Sequence, residues 1–149
     1  MIEVVERRPI EVFESQEQLN ECLKYWQEKL LLMDWIFKAR LVGVSEMDDP
    51  DDQGENTMIH GRKVALIKIL KKDEIPKDSF VPRIIRQCDE QILIHEMLHV
   101  LYNWIDPVED AAYESVYMDA IEHQKLDDMA KTLIMVKYDL TLDYFKGEE

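Results

Sequence analysis

The chain has 149 residues, of which 46% are apolar and 34% charged, and its formal net charge is −14. That length suits one domain, residues 1–149, with one hydrophobic core, and the balance of side chains is that of a globular protein rather than a disordered one. The excess of carboxylates argues against nucleic acid as a partner, because phosphate recognition needs clustered Lys and Arg, and it disfavours anionic membrane surfaces. No apolar run approaches the roughly 18–20 residues of a membrane span, and the densest, Leu30–Met33, is stopped by Asp34. The start, Met1–Glu6, lacks a basic stretch followed by an apolar one, so no signal peptide is read there. A cytoplasmic location is the default expectation. Cys22 and Cys88 have no metal-like Cys neighbours and read as buried, reduced thiols.

In chain order, Ile2–Val5 and Ile10–Phe13 are short and β-prone. Ser15-Gln16-Glu17-Gln18 carries a capping-box signature and opens a helix with Leu19, Cys22, Leu23, Trp26 and Leu30 on one face, ending near Asp34. Trp35–Val42, aromatic and branched, reads as a strand. Glu46–Asn56 is an acidic loop containing Pro50 and Gly54, solvated rather than calcium-binding, because the twelfth position of the frame opened by Asp49 is His60 and not Glu. A second strand region runs from about Met58 to Leu70, with a turn at His60–Lys63 and its best part at Val64–Leu70. Asp78 or Ser79, with Pro82 in the first turn, predicts the start of a helix that reaches about Trp104. Asp106-Pro107-Val108-Glu109 predicts another start, followed by helical sequence to about Tyr144. The order predicts a small α+β domain: a small β-sheet packed on a central helix, with additional C-terminal helices.

The central helix contains His95-Glu96-Met97-Leu98-His99. Residues four apart lie on one helical face, so His95 and His99 can aim ring nitrogens at one ion. Glu96, rotated by about 100°, is badly placed to bind that ion but can reach a water beside it. Zinc with three protein ligands keeps an open position, a water there has a lowered pKa, and a carboxylate can take its proton as general base. By chance this pattern arises in roughly one chain in a hundred of such composition. Here the histidines continue an apolar stripe, and a buried Glu96 between them would be costly without a metal or another partner.

A third ligand must come from elsewhere. Asp106, Glu109, Asp110, Glu114, Asp119, Glu122 and His123 follow the motif. The extended metzincin pattern is excluded, since Tyr102 and Ile105 stand where it needs Gly and His. Glu114 suits a helix that folds straight back. His123 suits the scarcity of histidine, four in the chain, and its phase with Leu126, Ala130 and Leu133. One straight helix cannot present both to a single ion. His60, Tyr102, Tyr113 and Tyr117 are candidates for contacting a substrate or its oxyanion.

Taken together, Leu32–Ile36, Ala65–Ile69, Ile92–His99 and His123–Leu133 resemble the small zinc metallopeptidases of phage and prophage type, within the zincin superfamily. The resemblance implies a minimal zincin-like domain. It implies a hydrolase that cuts peptide bonds with zinc-bound water activated by Glu96, acting on a peptide or protein substrate. In that family the position of His123 is usually an acidic residue thought to complete the site; here His123 is itself a competent zinc ligand, so the implied set is His95, His99 and His123. The resemblance also implies a substrate-binding edge strand beside the active helix, for which Val64–Leu70 is the natural candidate. The competing reading is a non-catalytic, zinc-stabilised protein-binding domain; the intact Glu96 favours the enzyme, because a structural site has no use for it.

Overall fold

The computed structural model describes residues 8–75, 86–103 and 116–147. Among the described residues it is an α+β fold of three helices and a three-stranded mixed sheet. Helix α1 spans Gln16–Lys29, strand β1 Ile36–Val42, β2 Gly54–Ile59, β3 Val64–Leu70, helix α2 Asp89–Asn103 and helix α3 Val116–Tyr138. Short helical turns at Val44–Glu46, His60–Arg62, Lys72–Glu74 and Leu142–Lys146 connect or follow them.

Helix α1 begins where its cap was read. The Ser15 side chain accepts the Gln18 N–H at 3.1 Å, and the Gln18 side chain reaches back to the Glu14 N–H at 2.7 Å. Its end comes earlier than Asp34. Leu31 takes a left-handed conformation, φ 58°, and the N–H groups of Leu31 and Leu32 bond back to the carbonyls of Glu28 and Gln27, closing the helix as a Schellman motif. Leu19, Cys22, Leu23 and Trp26 are buried.

The sheet order is β1-β3-β2, with β1 parallel and β2 antiparallel to β3. Val64–Leu70 is therefore the central strand, not the edge expected of it; the edge beside α2 is β2. That strand starts at Gly54, earlier than Met58, although Gly54–Thr57 is polar. Pairing with β3 accounts for the difference, together with a close approach to α2: a Cβ on Gly54 would stand 2.5 Å from Ile92 Cγ2 and 3.3 Å from Glu96 Oε2.

Ile10–Phe13 is not a strand. It crosses the start of α2 as a strap, its carbonyls at Ile10 and Glu11 accepting the Glu90 and Asp89 N–H groups at 3.0 Å each. The side chains answer: Asp89 accepts from Phe13 N at 2.9 Å and Glu90 from Ile10 N at 3.1 Å. The first N–H groups of a helix have no partner inside it, and this strap meets that need where α2 begins, at Asp89, after non-helical residues 86–88. The expected start at Asp78–Pro82, the start at Asp106–Glu109 and the strand Ile2–Val5 lie outside the described residues. Helix α3 stops at Tyr138, short of Tyr144, where Asp139 turns left-handed, φ 54°.

Helix α2 lies at the centre of the molecule. Leu93, Ile94, Met97, Leu98 and Val100 are at most 1% exposed and join Leu19, Trp26, Phe37, Ile67, Ile69 and Ile134 in one core. A helix buried over most of its surface must satisfy its buried polar side chains internally. Glu90, fully buried, accepts from Trp26 Nε1 at 2.8 Å, Lys137 Nζ at 2.7 Å and the Tyr138 hydroxyl at 2.6 Å. That one carboxylate ties α1 and α3 to α2. No described helix is long and apolar enough to cross a membrane.

Candidate metal centre

Three histidines converge. His95 and His99 stand one turn apart on α2, and His123 approaches from α3, which packs against α2. One ligand atom from each lies within 4.8 Å of the others. His95 Nε2 faces His123 Nδ1 at 3.3 Å. Tetrahedral zinc with Zn–N bonds of about 2.0–2.1 Å separates neighbouring nitrogens by about 3.3–3.4 Å, so this pair already has the spacing of two ligands, and closing His99 onto the same ion needs shifts on the order of an ångström. The group could hold a metal ion. The donor set fits one chemically: three imidazoles, neutral when they ligate, ringed by carboxylates that favour a cation.

Carboxylates of α3 back the rings. His95 Nδ1 lies 3.5 Å from Asp127 Oδ1, and His99 Nδ1 lies 3.9 Å from Glu122 Oε1. Asp127 is itself held by Gln91 Nε2 at 2.8 Å and by Lys131 at 3.4 Å. A carboxylate on Nδ1 leaves Nε2 to face the metal and fixes the tautomer. Burial pulls the His95 pKa down, but the Asp127 hydrogen bond and the Glu96 and Asp127 charges outweigh it, and the net shift is upward. Asp127 is driven up by burial, yet its bonds to His95 and Gln91 and the Lys131 charge leave it below its usual range.

Glu96 is 7% exposed. Its Oε1 accepts from Asn56 Nδ2 at 2.7 Å. Burial, reinforced by the Asp52 charge, raises its pKa, against the pull of Asn56, His95 and His123. Gly54 and Asn56 thus bring the edge strand directly onto Glu96. Asp52, just before that strand, is also pushed up, by burial first and then by Asp49, Glu55 and Asp51, while His123 counters.

Neither Asn56 nor Asp127 was read from the sequence as a site residue. Asn56 sat in a stretch read as loop. Asp127 follows His123 by four residues, a spacing that puts both on one face of α3 and that could have suggested it. Glu114 and Tyr113 lie outside the described residues, and the Tyr102 hydroxyl, on a side chain 39% exposed, is turned to Met129 Sδ at 3.2 Å. Two carboxylates of the acidic loop are spent on its own backbone: Glu55 accepts from Asp48 and Asp49 N–H at 2.9 Å each, and Asp49 from Asp51 N–H at 2.9 Å. The thiols of Cys22 and Cys88 are buried, and burial raises both, Cys88 to about 12. No protein-family model matches the chain, and neither a curated protein nor a solved structure was found to match it.

Proposed function

We propose that this chain is a zinc-dependent metallopeptidase of the zincin type, with His95, His99 and His123 as ligands and Glu96 as the catalytic base. The observation that carries the reading is the joint placement of three convergent imidazoles with a nearly buried Glu96 that an edge-strand amide holds by one oxygen. Zinc bound there supplies a Lewis acid and a coordinated water of lowered pKa. Glu96 takes the proton of the attacking water at its carboxylate and returns it to the leaving amine. Asp127 orients His95, and Asn56 limits the rotation of Glu96, so that its proton-accepting oxygen keeps one direction.

The substrate is an extended peptide laid along β2. The Leu70 N–H donates to the Gln53 carbonyl at 2.9 Å, and backbone direction alternates along an antiparallel strand. Gly54, Asn56 and Met58 therefore turn their N–H and C=O groups away from β3. No described strand pairs with that edge, which borders Glu96 through Asn56. A peptide added there gains backbone hydrogen bonds at the site of cleavage.

The test is zinc content by elemental analysis on untagged protein, joined to cleavage of a mixed peptide library. About one zinc per chain is expected, lost in His123→Ala. Glu96→Gln should keep the zinc and lose at least about a hundredfold in cleavage rate. No zinc after reconstitution sinks the reading. Zinc without turnover in the wild type leaves the zinc-stabilised binding domain.

A further inference from the structure

Among the described residues the sheet has a second edge, β1, on the far side of β3 from the histidine cluster. We propose that this edge is a separate recognition site that takes an acidic, extended segment of a partner protein as an added strand. The site does not depend on the metal or on peptide cleavage.

The backbone provides the template. Ile36 N–H donates to the Lys63 carbonyl at 2.8 Å, and the Val42 carbonyl accepts from Lys71 N–H at 2.9 Å. With a period of two, Ile36, Lys38, Arg40 and Val42 turn their backbone groups to β3, while Phe37, Ala39 and Leu41 turn theirs outward. The Gln16 side chain already occupies part of that edge as a strand would: its Nε2 donates to the Ala39 carbonyl at 2.7 Å, and its Oε1 accepts the Leu41 N–H at 3.2 Å. The N–H groups of Phe37 and Ala39 have no strand partner among the described residues. A groove of about 610 Å³ runs beside them, walled by Gln16, Asn20 and Leu23 of α1 and by Lys38, Arg40 and Lys68 of the sheet. That is the size of an ordinary ligand site.

Charge names the occupant. Arg40 stands in register with Lys68 across the parallel pair, and like charges directly opposite destabilise a sheet. Lys68 is partly compensated, donating to the Glu46 carbonyl at 2.9 Å with Asp48 at 3.9 Å. Lys38 and Arg40 have no ion pair among the described residues. In a chain of net charge −14, three adjacent cations on one groove are a local reversal of sign. Ile36 and Leu66 beside them are 58% and 41% exposed. The matching segment is extended, with carboxylates interspersed with apolar residues. Cations on a sheet edge also discourage self-association, and the test separates the two roles.

The probe is a capped peptide of about seven residues alternating glutamate with valine or threonine, added to isotope-labelled full-length protein and followed by amide hydrogen exchange and chemical shift. In the free chain the Phe37 and Ala39 amides should exchange readily, and the probe should protect both. Affinity should fall as salt rises and drop at least about tenfold in Lys38→Glu/Arg40→Glu, equivalent to about 1.4 kcal/mol. Circular dichroism and metal content should stay unchanged in that variant. Lysine in place of glutamate, or N-methylation of alternate probe amides, should abolish binding. The proposal is overturned if the two amides are already protected in the free chain, if the acidic probe does not bind, or if the double variant or the N-methylated probe binds as well. Stronger protection of these amides by a short DNA duplex would overturn it too, by assigning the groove to nucleic acid.

Discussion

Gly54 is where the edge strand meets the HExxH helix, and Gly54→Ala tests that contact. A Cβ there would lie 2.5 Å from Ile92 Cγ2, whereas carbon atoms pack at about 3.5–4.0 Å. Relief needs a displacement of about 1 Å or more. Ile92 is β-branched on a helix, which restricts its χ1 to essentially one rotamer, so the strand must move. Overpacking of this kind costs about 1–3 kcal/mol, while the alanine stiffens the unfolded chain and returns about 0.4–1 kcal/mol. The net expectation is destabilisation by about 1–2 kcal/mol, or a Tm lower by roughly 3–6 °C, read by urea denaturation and thermal melts. Ile92→Ala removes the clashing methyl. In that background Gly54→Ala should become neutral or slightly stabilising, a coupling of at least about 1 kcal/mol in a double-mutant cycle. Equal cost in both backgrounds would refute the contact, and with it the placement of β2 against Glu96.

Asp127→Asn should weaken metal binding about 10–100-fold without changing the stoichiometry at saturation, as measured by chelator competition; unchanged affinity would show that Asp127 does not position His95. Leu31→Gly should stabilise the protein by about 0.5–1 kcal/mol in chemical denaturation, because glycine relieves the left-handed position at φ 58° at the end of α1. Asp89 is 1% exposed, and burial raises its carboxyl from 3.8 to about 6 despite the bonds from Phe13 and Gln87. The folded state therefore holds that proton more tightly than the unfolded one. Its contribution is fully present below pH 3.8 and is lost as pH rises through about 6. Wild type should accordingly lose stability relative to Asp89→Asn across that window, and a flat difference in denaturation curves would contradict it.

Local chemistry made several elements legible in the sequence. Ser15 and Gln18 mark the start of α1 because a capping hydrogen bond spans only three residues. Branched and aromatic side chains mark β1 and β3. His95, Glu96 and His99 could be read as one helical constellation because the geometry of a single turn relates them, whatever surrounds it.

What depended on contacts far apart in the chain was decided only by the tertiary structure. His123 is 28 residues from His95, and no spacing rule says that α3 returns to that level of α2. Spacing kept Glu114, which lies outside the described residues, as a candidate beside His123, and the packing of α3 on α2 sets the three rings together. Gly54–Thr57 has the composition of a loop, yet it is a strand because β3 pairs with it and a glycine lets it lie on Ile92. Ile10–Phe13 has β-prone side chains, yet its backbone is claimed by the first N–H groups of α2, which have no partner within their own helix. The place of β3 between two strands has the same cause: strand order is a property of closure between distant segments, and the residues of one strand do not encode who stands beside it. For the same reason the hold of Asn56 on Glu96 has no signature in either residue's neighbourhood, and it exists only where the sheet edge and the helix meet.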